Sequence, residues 1–280
     1  MAALMTLFAD QQPGFVFFDV GSNIGVYSFL CDMLFAPSAV ASFEPTPTTA
    51  KMARRIVKAN RLRTVTVHER ALGSEPGSAV LHMSQRSDAS NSLVAGHRSA
   101  AGSVDVDVTT MDRFVEESGL APSVIKIDVE RFEPQVLQGG SATLATHRPA
   151  LVVEVLKRRA HDVGADVDSV MEGLGYRYYR LGVKPDWQPR PRIVGRPESG
   201  HRDWLLVPEE LDAGFGERHR AWVNHLATCT AARNSKLPPI TTARALRRTD
   251  GVGRTAELVT ERAGFELRRL RSRLRGGRAG

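Results

Sequence analysis

The residues best suited to carry chemistry begin with a glycine turn near the start of the chain. Asp19 enters this turn, and Gly21, Asn23 and Gly25 follow it. Glycine allows a sharp change of chain direction and leaves room for a ligand against the backbone. Such a turn is typical of the loop that binds a nucleotide-type cofactor after the first strand of an open α/β sheet. The alternative is a strand–turn–helix connection that binds nothing.

The spacing of the glycines distinguishes between classes of nucleotide. A dinucleotide fingerprint requires G-x-G-x-x-G, whereas Asn23 stands here in place of the middle glycine. Asp19 would repel a diphosphate and would attract a cofactor that carries a cationic ammonium group. The turn therefore predicts S-adenosylmethionine rather than a nicotinamide dinucleotide.

A second acid supports the same cofactor. Residues 40–43 form a short apolar segment, which predicts a strand, and Glu44 and Pro45 follow it. Glu44 lies 19 positions after Gly25, near the roughly 20-residue spacing at which a carboxylate on the second strand binds ribose hydroxyls. The alternative is a charged strand end that faces solvent.

The third predicted strand, residues 64–69, brings Glu69, Arg70 and Ala71 to the place where adenine is usually bound, and we select Ala71. The predicted cofactor-binding residues are Asp19, Gly21, Ser22, Asn23, Gly25, Glu44, Pro45, Ala71 and Asp128.

Three acids are expected at the same edge of the sheet. The segment 124–129 predicts a strand with two polar interruptions, Lys126 and Asp128; Asp128 lies at its carboxyl end and Glu130 follows it. Glu154 lies near the end of the apolar segment 149–156. In open α/β sheets ligands bind at the carboxyl ends of the strands. A carboxylate beside a reactive methyl group can accept the proton of an attacking hydroxyl. We therefore predict Asp128, Glu130 and Glu154 as the catalytic residues.

Other roles for these acids stay open. Asp128 could instead cap a helix over residues 134–144. Asp128, Glu130 and Glu154 could together hold a divalent cation, since hard cations prefer carboxylate oxygens, although we predict no metal site. Glu133 is a weaker candidate for substrate contact.

The apolar segments predict an α/β sheet around these residues. The last two strands, over 176–181 and 203–207, are joined by a long loop without a helix, which favours an antiparallel pair. Helices are predicted over 46–60, 134–144 and 167–174. The polar stretch 78–107 predicts an exposed loop over the substrate, and residues 1–9 predict one short turn. The expected architecture is a mostly parallel sheet with an antiparallel last strand.

Several of these segments resemble the FkbM family of S-adenosylmethionine-dependent methyltransferases over residues 15–156. The motifs occur in the order of that family: FFDVGSNIG at 17–25, FEP at 43–45, ALG at 71–73, VTTMD at 108–112 and IKIDVE at 125–130. The resemblance implies a class I methyltransferase (Rossmann-like) fold and an enzyme that O-methylates hydroxyls of sugars, glycolipids or natural products. Arg131 departs from the pattern, because the family usually has glycine there.

The charge of the chain is concentrated at its end. Residues 215–280 hold 15 Lys and Arg against 5 Asp and Glu, whereas the first 214 residues hold 23 against 26. We therefore predict a methyltransferase domain over 1–210 and a basic, partly helical extension over 211–280. Within it, residues 254–275 show the pattern of a basic amphipathic helix, suited to an anionic membrane surface or a protein partner. Nucleic acid is a less favoured partner, since aromatic residues are sparse there.

The remaining features favour a cytoplasmic enzyme, with the extension as a means of peripheral membrane attachment. Two cysteines provide no disulfide framework, and no apolar run reaches the length of a transmembrane span. Two alternative functions stay open. One is a methyltransferase acting on RNA or protein, and the other is a non-catalytic binding protein on the same fold that works through its basic extension.

Overall fold

The protein is described here by a computed structural model, which covers residues 1–84, 93, 100–156, 162–182, 185–196 and 201–229. Side chains of residues 83–84, 100–101 and 227–229 are outside this description. The predicted amphipathic helix over 254–275 and residues 85–92 and 94–99 of the predicted substrate-covering stretch 78–107 also lie outside the described residues.

Ten strands and eight helices are assigned in this part of the chain. The strands are β1 (Val16–Val20), β2 (Ala39–Phe43), β3 (Val65–His68), β4 (Ala71–Leu72), β5 (Gly77–Ser84), β6 (Ala100–Thr109), β7 (Val124–Ile127), β8 (Ala150–Glu154), β9 (Arg177–Arg180) and β10 (Asp203–Val207). The helices are α1 (Ala2–Asp10), α2 (Val26–Leu34), α3 (Pro47–Asn60), α4 (Met111–Ser118), α5 (Glu133–Gln138), α6 (Ser141–His147), α7 (Val163–Met171) and α8 (Phe215–Cys229).

Seven strands form the main sheet in the order β3-β2-β1-β7-β8-β10-β9. All neighbouring pairs are parallel except those of β10, which runs antiparallel to both β8 and β9. The residues of β1 are buried throughout, as expected for a parallel strand covered by helices on both faces. The predicted class I methyltransferase sheet with an antiparallel last strand is confirmed.

A second, three-stranded sheet occupies both ends of the loop predicted over 78–107. β5 and β6 pair antiparallel, and β4 adds to β6 in parallel. The prediction of an exposed loop was wrong at both ends of this stretch. Alternating residues such as Val104, Val106 and Val108 form a strand despite the intervening polar side chains, because only one face of β6 is buried, with Val106 only 6% exposed.

The N-terminal residues form a nine-residue helix rather than one short turn. α1 is almost wholly buried, and its Phe8 packs edge-on against Phe17 at a ring-centroid distance of 4.7 Å. The other side of α1 packs against α8, whose Phe215 and Trp222 belong to the same core cluster. The first helix is therefore part of the core on one face of the sheet.

Two predicted helices differ from the observed ones in their bounds, whereas the helix predicted over 46–60 is observed as α3 with Thr46 at its N-cap. The helix expected over 134–144 is two helices, α5 and α6, because a Cβ on Gly139 would lie 1.9 Å from the carbonyl oxygen of Gly73. The segment therefore turns where two elements touch. Phe132, not Asp128, occupies the N-cap position of α5, so the capping role considered for Asp128 is wrong. The helix expected over 167–174 begins earlier, where Asp162 caps α7 through the Gly164 amide.

The domain boundary after residue 210 stays a prediction. Because α8 packs onto α1, residues 215–226 contact the core. Among the described helices, none is both long and apolar enough to cross a bilayer.

Candidate active site

An acid-lined cleft opens at the carboxyl ends of β1, β2 and β7. Seven of the predicted site residues line it, namely Gly21, Asn23, Glu44, Pro45, Ala71, Asp128 and Glu130. Other lining residues include Thr46, Arg70, Leu93 and Phe132. Three of the residues that line the cleft are carboxylates, so the walls carry more negative than positive charge. The cleft thus favours a cationic ligand over an anionic one.

Glu44 is held rigidly at the mouth of this cleft. Its Oε2 accepts a hydrogen bond from the Asn23 amide at 3.0 Å, and its Oε1 accepts one from the Thr46 amide at 2.8 Å. Burial raises the pKa of Glu44, and these hydrogen bonds oppose the shift. Each carboxylate oxygen has a second lone pair, so Glu44 can accept further hydrogen bonds from a pair of ligand hydroxyls.

Gly21 is required for contact between two loops. It adopts a φ of +73°, and a Cβ placed on it would lie 1.9 Å from the carbonyl oxygen of Asp128. The sequence suggested that this glycine makes room for a ligand. In the structure it makes room for the main chain after β7, which brings the first loop of the sheet against the segment that carries Asp128.

Asp19 lies beneath the turn and does not line the cleft. Its Oδ2 accepts hydrogen bonds from the Ser28 amide at 3.1 Å and the Ser28 hydroxyl at 2.7 Å. Because the N-cap residue of α2 is Gly25, which has no side chain, Asp19 supplies the missing acceptor at the start of this helix. Its Oδ1 is buried and has no hydrogen-bond partner among the described residues. Cofactor contact by Asp19 stays a prediction.

Ser22 and Gly25 also lie in the first loop without lining the cleft. Ser22 is buried, and its amide donates to the carbonyl oxygen of Phe43 at 2.9 Å. This hydrogen bond, with that of the Gly21 amide to the same carbonyl, ties the loop to the end of β2. Gly21 and Ser22 therefore shape the loop through their amides. Contact of Ser22 and Gly25 with a cofactor is untested.

A lysine that the sequence did not single out holds Asp128 in place. Lys126 is only 7% exposed, and its Nζ lies 3.0 Å from Asp128 Oδ2 and 5.1 Å from the ring centre of Tyr27. Burial opposes the charged ammonium, but Asp128 and Asp19 outweigh it and raise the pKa of Lys126. Burial likewise opposes the carboxylate of Asp128, but Lys126, Glu154 and Arg202 together outweigh it and lower the pKa of Asp128.

Glu154 shares a proton with Asp128. The two carboxyl groups are hydrogen-bonded, so they cannot both ionise easily. Burial and the charge of Asp128 raise the pKa of Glu154 to about 9, although Arg202 Nε lies 2.6 Å from its Oε1 and opposes the shift. At neutral pH the proton therefore resides on Glu154, and Asp128 is the ionised partner, with its side chain 36% exposed.

Glu133 fixes the loop that carries Glu130. Glu130 and Arg131 both have left-handed φ values, +54° and +78°. Such values are uncommon outside glycine. Glu133 Oε1 accepts hydrogen bonds from the amides of Val129 at 3.2 Å and Arg131 at 3.1 Å. The buried Glu133 carboxyl thus stabilises this turn with arginine at position 131, where the resemblance to the FkbM family led us to expect glycine.

The alternative of a metal at these acids finds no support in the geometry. Within the described ranges, no group of three or more His, Cys, Asp or Glu side chains is arranged to hold a metal ion. Asp128 and Glu154 instead bond to each other and to cations of the protein.

Sequence reasoning missed Lys126, Arg202 and the buried role of Glu133. Lys126 carried a usable signal, because a lysine inside the apolar strand of residues 124–127 requires a buried counter-charge. Arg202 carried none, since its contact with Glu154 depends on the pairing of β10 with β8.

A mostly parallel sheet with an antiparallel β10, a glycine loop after β1 and an acid after β2 define the class I methyltransferase fold. Residues 19–178 match the methyltransferase FkbM domain, and the chain belongs to this family.

Two relatives are methyltransferases by name. The chain is 26% identical over 192 residues to Methyltransferase 1 of Beauveria bassiana, covering 61% of this chain and 75% of the relative. It is 30% identical over 135 residues to the hexuronic acid methyltransferase AglP of Haloferax volcanii, covering 48% and 53%. A solved FkbM methyltransferase from Methylobacillus flagellatus is 16% identical, with a TM-score of 0.46 and coverage of 70% and 44%. The chain thus spans about half of AglP and less than half of the solved protein.

Proposed function

We propose that the protein is an S-adenosylmethionine-dependent O-methyltransferase that methylates a hydroxyl of a sugar, a glycolipid or a natural product. The observation that carries the proposal is the buried Glu44 carboxylate, fixed by two backbone amides at the mouth of an acid-lined cleft. A carboxylate at the tip of the second strand is the usual acceptor for ribose hydroxyls in sheets of this kind.

The residues of the cleft fit this cofactor. Glu44 would hold the ribose, Ala71 and Leu72 present an apolar surface for the adenine, and Asp128 and Glu130 face the cationic part. S-adenosylmethionine supplies an electrophilic methyl group when it is bound. The protein contributes position and charge, which for a reaction between two bound molecules is a large part of the rate enhancement.

Asp128 is suited to accept the proton of the acceptor hydroxyl. Lys126 keeps it ionised, Glu154 donates a hydrogen bond to it, and its side chain remains partly exposed. A carboxylate with a lowered pKa is a weak base. It is sufficient here, because an oxygen that has gained a methyl group and still carries its proton is strongly acidic. Glu154 and Arg202 then act as positioning residues for Asp128.

The name of one relative favours a carbohydrate acceptor. AglP of Haloferax volcanii is named a hexuronic acid methyltransferase, and its match with this chain is 30% identical. A sugar hydroxyl is consistent with a carboxylate that accepts one proton, and we propose this acceptor class over RNA or protein.

Calorimetric titration of the full chain with S-adenosylmethionine and with S-adenosylhomocysteine tests the cofactor. We expect saturable binding that Glu44→Gln weakens about tenfold to a hundredfold, since the loss of one hydrogen bond to a charged acceptor costs about 1.5–3 kcal/mol. Glu117→Gln is the matched control, because Glu117 lies on α4, pairs with Arg113 at the surface and does not line the cleft.

Binding that is unchanged in Glu44→Gln would contradict the assigned role of Glu44. Absence of binding in the unaltered, folded protein would refute the proposed activity. Thermal unfolding of each variant shows whether a weaker affinity reflects a lost contact or a misfolded loop.

A further inference from the structure

A second cavity lies on the other part of the same sheet, outside the cleft. It is lined by Arg180, Arg190, Pro191, Arg192, Val194, Arg196 and Trp204. Arg180 ends β9 and Trp204 lies opposite it on β10, while the other residues belong to the segment before residue 197. Four arginines around one indole form a strongly cationic wall.

The charge of this cavity is largely uncompensated within the described structure. Arg190 forms an ion pair with Asp186, whereas Arg180, Arg192 and Arg196 form none with the residues that the structure describes. The nearby acids Asp162 and Asp168 face the backbone instead.

Those two acids build the wall of the cavity. Asp162 Oδ1 accepts hydrogen bonds from the amides of Gly164 and Gly195, both at 3.0 Å, and Asp168 Oδ1 accepts one from the Ile193 amide at 3.4 Å. They hold the arginine-bearing segment against α7 without neutralising its guanidinium groups.

Trp204 adds an unsatisfied donor to this wall. The side chain is 2% exposed, and its Nε1–H has no acceptor among the described residues. The same is true of the buried Nε of Arg196. A buried donor without an acceptor is unfavourable, so a ligand that supplied an acceptor here would gain affinity in addition to its charge interactions.

The cavity lies at the catalytic edge of the sheet. Trp204 pairs with Val153, the neighbour of Glu154, and Asp203 pairs with Glu154 itself. The Arg196 amide donates to the carbonyl oxygen of Val155 at 3.1 Å. The arginines therefore lie beyond the Asp128–Glu154 pair in the sheet, on the side opposite to the cofactor loop.

We propose that this cavity binds an anionic group, a carboxylate or a phosphate ester, carried by the methyl acceptor. The inference rests on the proposed function, because it assigns the substrate class of that same site. Guanidinium groups bind planar carboxylates and phosphates through paired, charge-assisted hydrogen bonds, and Trp204 Nε1–H supplies a further donor. A neutral sugar would leave these donors unpaired.

Nuclear magnetic resonance of the full, ¹⁵N-labelled chain tests binding without any need for turnover. The chain has three tryptophans, so Trp204→Phe identifies the Trp204 indole signal. We expect this signal to shift saturably with inorganic phosphate or D-glucuronate and to stay unchanged with D-glucose. Of the two anions, the tighter one identifies the anionic group. Arg180→Gln should weaken binding about tenfold. Arg177→Gln, three residues earlier on β9 and outside the cavity, should leave it unaltered.

An unshifted Trp204 signal, an equal response to D-glucose or an undiminished affinity in Arg180→Gln would overturn the proposal. So would displacement of the anion by a short single-stranded RNA of higher affinity, which would assign the cavity to nucleic acid. Titration with S-adenosylmethionine on the same samples separates the two proposals. Cofactor binding without anion binding refutes the acceptor class alone, and anion binding without cofactor binding refutes the proposed function and the acceptor role together.

The acceptor role has its own readout. With an acceptor pair that differs only in a carboxylate, Arg180→Gln should raise KM for the anionic member about tenfold and leave KM for the neutral member and the affinity for S-adenosylmethionine unchanged. An equal effect on both acceptors would indicate a structural role and overturn the proposal.

Discussion

At the scale of single residues, buried carboxyl groups have two different roles in this site. Asp128 and Glu154 lie beside each other. Against the effect of burial, Lys126, Glu154 and Arg202 lower the pKa of Asp128, whereas burial and the charge of Asp128 raise the pKa of Glu154. Glu133 is fully buried and holds two backbone amides. The Asp128–Glu154 pair offers one ionised oxygen to a ligand, whereas Glu133 determines the shape of the loop that carries Glu130.

Glu133 makes the stability of the protein depend on pH in a way that one substitution can reveal. Burial raises the pKa of Glu133 to about 8 from its ordinary 4.5. The folded state thus binds this proton more tightly than the unfolded chain. Its stabilising contribution is complete below pH 4.5 and is lost as the pH rises through about 8.

Glu133→Gln removes this dependence and keeps the acceptor oxygen for the two amides. The free energy of unfolding of the variant minus that of the unaltered protein should be larger at pH 8.5 than at pH 5, by at least about 1 kcal/mol, since each pKa unit corresponds to about 1.4 kcal/mol. Urea denaturation at the two pH values measures it. The exposed Glu117→Gln should show no such change, and an equal difference at both pH values would contradict the buried, protonated carboxyl.

At the scale of elements, the site depends on two loops that touch through their main chains. The loop after β1 and the loop after β7 meet where Gly21 lies against the carbonyl of Asp128. Together with the hydrogen bonds from Gly21 and Ser22 to Phe43, this contact sets the distance between the predicted cofactor loop and the predicted proton acceptor.

Gly21→Ala should therefore cost more than a strained backbone alone. An alanine at left-handed φ costs about 1–2 kcal/mol, and at Gly21 the Cβ would also collide with the Asp128 carbonyl. We expect a loss of about 3 kcal/mol or more in the free energy of unfolding, together with loss of S-adenosylmethionine binding. Gly119→Ala is the control, because Gly119 has a φ of +68° and open space around it. Similar losses in both variants would show that the loop contact is unimportant.

At the scale of the whole molecule, charge is divided unequally between the first 214 residues and the rest of the chain. Residues 215–280 carry a net charge of +10 and the preceding residues a net charge of −3. The excess of basic residues lies in this last part of the chain, so we propose that it acts in attachment to an anionic surface rather than in the reaction.

Removal of residues 230–280 tests this separation. We expect the shortened chain to bind S-adenosylmethionine within about twofold of the full chain, and to lose cosedimentation with phosphatidylglycerol vesicles at low salt, because the attraction between exposed basic residues and anionic lipid is screened by salt. Phosphatidylcholine vesicles are the neutral control. Retained cosedimentation of the shortened chain, or its absence in the full chain, would contradict the proposed role.

Much of the fold could be predicted because its signals are local in the sequence. The turn at Gly21 and Gly25, the acid at Glu44 and the apolar run of β1 each depend on neighbours a few positions away. The strand pair β9–β10 was also recognisable, since a long loop without a helix favours an antiparallel arrangement. Local patterns failed for β5 and β6, because polar residues alternate with apolar ones on a strand that is buried on only one face.

The sequence by itself thus determined the sheet, the strands that carry the predicted site residues and the acids expected at its carboxyl edge. Only the tertiary structure decided which of these acids meet. It paired Lys126 with Asp128 and Arg202 with Glu154, and it placed Asp19 under α2 rather than in the cleft. It also gathered the arginines of the second cavity around Trp204. These outcomes depend on contacts between segments far apart in the chain, which spacing and periodicity along one segment do not encode.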